Sequence, residues 1–278
     1  SVPAVYYTDI VALSKANNQA VVEDQRMSPA LLSTVYVDDS AAAGGNGTQA
    51  APLQSIQAGL DRVIPGGTVK VAEGTYTGAI TISKPLTLKA TGQAANTIIN
   101  GGATTANPAA GLYVVSIRAS NVVFDGFTVT NPGYNSTWES DPTGIMVGYY
   151  GDNSLSNIRV TNNIVTKVTD PAFVVNYNSP HGIVVNGVVN GLEIDHNKVH
   201  DIAAIVNTSG YGGPTGIALY GYDITPLSTN VTIHDNEVYD IRVTNTGTGN
   251  SVPRGIRAGW GAGAATINDN NIHDLAGI

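Results

Sequence analysis

Four polar positions recur in register along the second half of the chain. They lie in VTKV (165–168), VHDI (199–202), VYDI (238–241) and IHDL (272–275), and they hold Lys167, Asp201, Asp240 and Asp274, with His200, Tyr239 and His273 beside them. Neighbouring carboxylates repel, and Ca²⁺, a hard cation suited to oxygen ligands, would relieve that repulsion. The other reading is a solvated polar edge closed at one end by Lys167. A second set is aromatic: Tyr149, Tyr150, Tyr220, Tyr222 and Trp260. They could stack on sugar rings or simply pack turns. Glycoside hydrolysis needs two or three carboxylates converging about 5–9.5 Å apart, and no such set stands out. With no cysteine in the chain, thiolate nucleophiles, disulfides and Cys-based metal sites are excluded.

The element that must position these residues is a repeat. FDGFTV (124–129), VTNNIV (160–165), IDHNKV (194–199), IHDNEV (233–238) and INDNNI (267–272) echo one another. In the last four an Asn holds the same place: Asn163, Asn197, Asn236 and Asn270, at spacings of 34, 39 and 34. A second echo runs ahead of it in TGIMV (143–147), HGIVV (181–185), TGIAL (215–219) and RGIRA (254–258). Self-similarity at this period predicts a solenoid, each coil covering its neighbour's apolar face. Stacked coils lie about 4.8 Å apart, so the asparagines can hydrogen-bond in a file and satisfy turn backbone. That column reads as structural.

The chain divides into an N-terminal arm (1–34), a capping strand and helix (35–67) and a parallel β-helix (68–278). AVYYTDIVAL (4–13) reads as extended, and 19–33 as a short helix broken at Pro29. VYVDD (35–39) predicts a strand. In PLQSIQAGLDRVIPGG (52–67), Leu53, Ile56, Leu60 and Val63 form one helical stripe, with Pro52 in the first turn and Pro65-Gly66-Gly67 as the stop. Such a helix would shield the first coil. Extended loops are expected at 132–142, 169–180, 203–214 and 243–253, together on one side.

Charged residues are 12% of the chain and the net charge is −8. This argues against nucleic acid and anionic membranes as partners. No apolar run approaches the roughly 20 residues that span a bilayer, so no membrane insertion is expected. The first residue is Ser1, which fits removal of a signal peptide and an extracellular or cell-surface location. Sequons stand at Asn46, Asn135, Asn207 and Asn230.

Residues 35–90, VYVDDSAAAGGNGTQAAPLQSIQAGLDRVIPGGTVKVAEGTYTGAITISKPLTLKA, together with the Asn-bearing repeats, resemble right-handed parallel β-helix proteins of the pectate-lyase-like superfamily. The resemblance covers about residues 35–278. It implies an all-β, right-handed parallel β-helix with a short N-terminal cap helix and an extended arm, and an internal asparagine ladder. The superfamily includes polysaccharide lyases, epimerases, hydrolases, adhesins and structural proteins. Its lyases use Arg or Lys to neutralise a uronate and take the C5 proton, often with carboxylates that bind Ca²⁺. Arg254 and Arg257 in SVPRGIRAG (251–259) resemble that arrangement by residue type; the alternative is a pair of surface arginines. SPHG (179–182) resembles a Pro-His element of alginate epimerases, without the acidic residues expected around it. LEIDHNKV (192–199) resembles an Asp-His pair of some pectate lyases but is also a variation of the repeat.

The last apolar residues, Ile272, Leu275 and Ile278, leave the final coil uncapped, an association hazard unless covered. The first expectation is therefore a non-catalytic extracellular structural or surface protein. It would self-associate head to tail through the arm and the open coil, and require no cofactor. The alternatives are a polysaccharide lyase or related carbohydrate-active enzyme on uronate polymers, with Arg254 and Arg257 catalytic and calcium at Asp201, Asp240 and Asp274, and a carbohydrate-binding adhesin using the aromatic set.

Overall fold

A computed structural model of the chain describes residues 30–135, 141–149, 151, 154–175, 179–206, 213–220, 227–246, 251–259 and 262–277. The expected arm lies, up to residue 29, outside the described residues.

Short β-branched runs separated by turns form three parallel sheets that the chain visits in rotation. Among the described residues the first sheet has eight strands, the second nine and the third six. Neighbouring strands within a sheet are successive visits of the chain, paired in parallel. This is a parallel β-helix. One apolar position stacks through the whole first sheet: Val35, Val69, Leu88, Phe124, Val160, Ile194, Ile233 and Ile267 are register partners in order. All but the last are fully buried, whereas Ile267 in the final coil is 43% exposed.

The GI echo supplies the third sheet and is explained by its glycines. A Cβ on Gly144, Gly182, Gly216 or Gly255 would run into Val165, Val199, Val238 or Ile272 respectively, the second-sheet residue of the same coil. Only a residue without a side chain lets the two sheets approach so closely. The following isoleucines, Ile145, Ile183 and Ile217, then fill the core.

The polar column has a backbone cause as well. Lys167, Asp201, Asp240 and Asp274 all adopt left-handed conformations, φ 48 to 54°. Asp and Asn tolerate this region better than most side chains. The chain therefore kinks once per coil at this position, and the second-sheet strands Lys198–Val206 and Glu237–Asn245 continue beyond it. Residues 203–206 and 243–245 are accordingly strand, not loop, because Ala204, Val206 and Val243 bury against Tyr134 and Phe173.

At the N-terminal end the first strand is Leu32–Val37, so pairing begins inside the segment assigned to the arm. The helix is Ile56–Arg62, beginning after the expected first turn at Pro52 and ending before Pro65. Ser55 caps it, its Oγ accepting from Ala58 N at 3.3 Å. Val63 then enters the strand Val63–Val71 and buries completely, so Pro65-Gly66-Gly67 lies in a strand rather than stopping the helix. Ile56, Gly59 and Leu60 bury, and Gly59 packs against Val37 and Val69.

Candidate functional site

The middle strands of the third sheet, Thr143–Val147, His181–Asn186 and Thr215–Tyr220, are buried on both faces. Their outward positions Met146, Val184, Ala218 and Tyr220 form a cluster separate from the core, with Tyr113 packed beside them. Two columns of the GI echo meet there. The first echo position stacks Thr143, His181, Thr215 and Arg254, and the fourth stacks Met146, Val184, Ala218 and Arg257.

His181 and Tyr220 are 1% and 3% exposed. The Tyr220 hydroxyl lies 3.0 Å from His181 Nε2 and accepts a hydrogen bond from Arg257 Nη1 at 3.3 Å. Arg only donates, so the Tyr220 oxygen accepts from Arg257 and shares one proton with His181 Nε2, in the direction that the imidazole tautomer sets. The buried His181 Nδ1 has no hydrogen-bond partner, and neither has the buried Nη1 of Arg254. The Arg257 guanidinium also lies over the Tyr220 ring, 5.2 Å from its centroid.

Burial pulls the His181 pKa below the ordinary imidazole value. The Asp141 carboxylate opposes that shift, and the charges of Arg257 and Arg254 reinforce it. The imidazole is therefore held neutral. Burial raises the Tyr220 pKa against the pull of Arg257. Burial and the neighbouring Arg257 charge both lower the Arg254 pKa. Asp141 Oδ1 accepts from Ser179 N at 2.6 Å across 38 residues. The acidic neighbour that SPHG lacks locally thus arrives from the preceding coil. The cluster joins a neutral base, a phenol and two guanidiniums, and the half-buried arginines carry it to the surface. Such a set can hold a carboxylate and move a proton next to it.

No family model matches the chain, and no curated protein matches it. Among solved structures it is similar to pectin methylesterases. That from Erwinia chrysanthemi is 13% identical, with 79% of this chain and 67% of that chain covered at a TM-score of 0.38. The carrot enzyme is 10% identical over 87% and 82%, at 0.38. The Aspergillus niger enzyme is 14% identical over 89% and 86%, at 0.39. At these values the likeness concerns the path of the coils and says nothing about chemistry.

The remaining sequence-derived sites fall elsewhere. The Asp column lies on the second sheet, away from the arginine pair. Arg242 reaches Asp240 at 2.6 Å and Asp201 at 3.6 Å, and so supplies the positive charge a bridging cation would bring. Asp201 and Asp274 each meet the imidazole next to them in sequence, His200 and His273, at 3.0 and 2.8 Å. His200, Tyr239 and His273 stack as a pile of rings with centroids 4.7 and 5.0 Å apart. Among the described residues no three His, Asp or Glu side chains group so as to hold a metal. Of the aromatic set, Tyr149 is 39% exposed under Arg118, whereas Tyr220 is buried in the cluster above and is no stacking platform. Tyr150, Tyr222 and Trp260 lie outside the described residues, as does Asn207. Asn46, Asn135 and Asn230 are exposed, and Asn230 Nδ2 donates to Asn190 Oδ1 at 2.9 Å.

The asparagine column is a continuous file. Asn163 donates its backbone N–H and its Nδ2 to Asn197 Oδ1, both at 3.0 Å. Asn197 does the same to Asn236, and Asn236 to Asn270. Sequence reasoning missed one further buried asparagine, Asn131, which is 0% exposed. It accepts from Ala103 N and donates to the carbonyls of Ala110 and Gly111, fastening a long loop rather than a repeat turn.

Proposed function

We propose that this chain is a carbohydrate-active enzyme acting on uronate-containing polymers by removing the proton beside the uronate carboxylate. The observation that carries the reading is the Tyr220 hydroxyl held between His181 Nε2 and Arg257 Nη1, with Arg254 in the His181 column. In this reading Arg254 and Arg257 bind the carboxylate and offset the charge that builds on it. The phenolic oxygen takes the C5 proton as its own proton passes to neutral His181. The C5–H electrons form the C4=C5 bond as the C4–O bond breaks, and the departing oxygen takes a proton back from the pair. Delivery to the opposite face of C5 instead would give epimerisation. An extracellular or cell-surface location belongs with a polymeric substrate.

The test is a screen of polyuronates for unsaturated ends and for inverted C5 centres, with and without a chelator. Arg257→Ala should lower turnover about 10²–10³-fold, and a chelator effect would bring calcium in. Binding without turnover of any polyuronate would sink the enzymatic reading in favour of an adhesin.

A second reading rests on a separate observation. In the last described coil Ile267, Ile272 and Leu275 are 43, 42 and 41% exposed. Head-to-tail stacking of a structural or surface subunit would bury them, with the N-terminal arm as the joining element. Sedimentation that stays monomeric at every concentration would remove it.

A further inference from the structure

The candidate site is assembled from three successive coils. His181 stands on the first, Tyr220 on the second, and Arg254 and Arg257 on the third. Two imidazoles join the same three coils at the other sheets. His234 ends the first-sheet strand Thr229–His234. Its Nδ1 lies 2.7 Å from Asp235 Oδ2, and its Nε2 lies 3.1 Å from Glu193 Oε1 of the coil before. His273 directly follows the second-sheet strand Asn271–Ile272 and repeats the arrangement. Its Nδ1 lies 2.8 Å from Asp274 Oδ2, and its Nε2 lies 3.6 Å from Glu237 Oε1 of the coil before.

A neutral imidazole has one N–H and one lone pair, whereas a carboxylate only accepts. Two carboxylates on one ring are therefore both satisfied only by the imidazolium. Once the proton leaves, one contact sets lone pair against lone pair. The other charged and titratable groups around each ring are few. Asp195 lies near His234, and His196 meets it edge to face at 6.3 Å. Arg159 also holds Glu193, at 3.2 Å. The later strand Ala265–Asn268 brings the uncharged Asn268 alongside His234, with Asp269 after it. Tyr239 stacks on His273 at 5.0 Å, and Lys198 also holds Glu237, at 3.3 Å.

We propose that His234 and His273 are a proton-operated fastening: charged, in mildly acidic surroundings, each draws its coil onto the one before, and neutral, each lets it go. The pKa of each is raised, first by the neighbouring aspartate and then, against burial, by the glutamate of the preceding coil. A raised folded pKa means that the contribution is complete below the unfolded imidazole value of about 6.5 and is lost as pH rises through the folded one. Release loosens the stacking that sets Arg254 and Arg257 against Tyr220 and His181. That consequence rests on reading the cluster as a site; the fastening itself does not.

The experiment is amide hydrogen exchange of the intact chain between about pH 5.5 and about pH 8.5, either side of the imidazole range, each rate divided by its intrinsic value. Strand Leu86–Ala90, in an early coil, reports global stability. Relative to it, protection of Arg254–Gly259 and Ala265–Asn268 should fall about fivefold toward high pH, as expected for one partly screened pair. His273→Gln should be low and flat at these strands. His234→Gln should flatten the response of Thr229–His234. Asp235→Asn and Asp274→Asn guard against a folding defect, since Asn tolerates the left-handed φ of 53 and 52° at these positions. Each should move its midpoint to lower pH. Protection that is flat or rises with pH in wild type, a response that survives in the double histidine variant, or an unmoved midpoint in the aspartate variants would overturn the proposal.

Discussion

His181 and Tyr220 are 39 residues apart in the chain, yet the tyrosine hydroxyl lies 3.0 Å from His181 Nε2 and their rings meet edge to face at 84°. Tyr220→Phe keeps the ring under Arg257 and deletes the oxygen. It leaves the buried His181 Nε2 without that partner, so stability should fall by about 1–3 kcal/mol, read as a lower melting temperature. If the pair transfers a proton, turnover of a polyuronate should fall about 10²-fold or more while binding persists. A variant as active as wild type would remove the hydroxyl from the mechanism.

The glycines of the GI echo should not be equivalent. Gly216→Ala meets both Val238 and the Gly255 carbonyl, the latter at 2.7 Å, so Val238→Ala cannot relieve it. In Gly255→Ala, by contrast, the nearby atoms all belong to the Ile272 side chain. Gly255→Ala should be rescued by Ile272→Ala, whereas Gly216→Ala should cost about 3 kcal/mol or more with or without Val238→Ala. Denaturant titration of the four variants would separate the two behaviours, and equal rescue at both sites would contradict the packing described.

Loss of a ladder asparagine should depend on its depth. Asn197→Ala removes the acceptor of the backbone N–H and side chain of Asn163, and the donor to Val160 O and Asp195 O. Each buried group left unpaired costs about 1–3 kcal/mol, so this variant should be among the most destabilising. Asn270→Ala, in the exposed last coil, opens its neighbours to water and should cost clearly less. Urea midpoints of the two variants check the order.

Acid should act in two steps. His181 has a depressed folded pKa, from burial first and the arginine charges after it. Its contribution is therefore present above the unfolded imidazole value and is lost as pH falls below about 6.5. Asp195 responds lower down. Burial would raise its pKa, but hydrogen bonds from Arg159, His196 and Thr161 outweigh that and hold it at about 2, against an ordinary 3.8. Its contribution holds above pH 3.8 and disappears toward pH 2. Melting curves of His181→Gln and Asp195→Asn should converge on wild type in the first and second window respectively. Parallel curves across both windows would show that neither group titrates as described.

The sequence by itself determined the coils. An apolar residue stacking once per turn and an asparagine recurring in register are local patterns, and stacking identical turns converts them directly into a core and a ladder. The GI echo was equally legible as a repeat, but the reason for its glycine was not, since Gly182 answers to Val199 on another sheet. The Asp column was legible as a repeat, but its partners were not. The sequence left a calcium column and a solvated polar edge open; the structure adds that these are left-handed residues and that Arg242 and the adjacent imidazoles meet the carboxylates. Only the tertiary structure assembled the His181, Tyr220, Arg257 and Asp141 cluster. Its members lie one coil apart, and loops of unequal length decide which residue of one coil faces which residue of the next. The sequence signals were a departure from the repeat, His181 and Arg254 where Thr143 and Thr215 stand, and the separate appearance of SPHG, Tyr220 and the Arg254–Arg257 pair. Their meaning depended on the outer face of that sheet being covered, which no local pattern records.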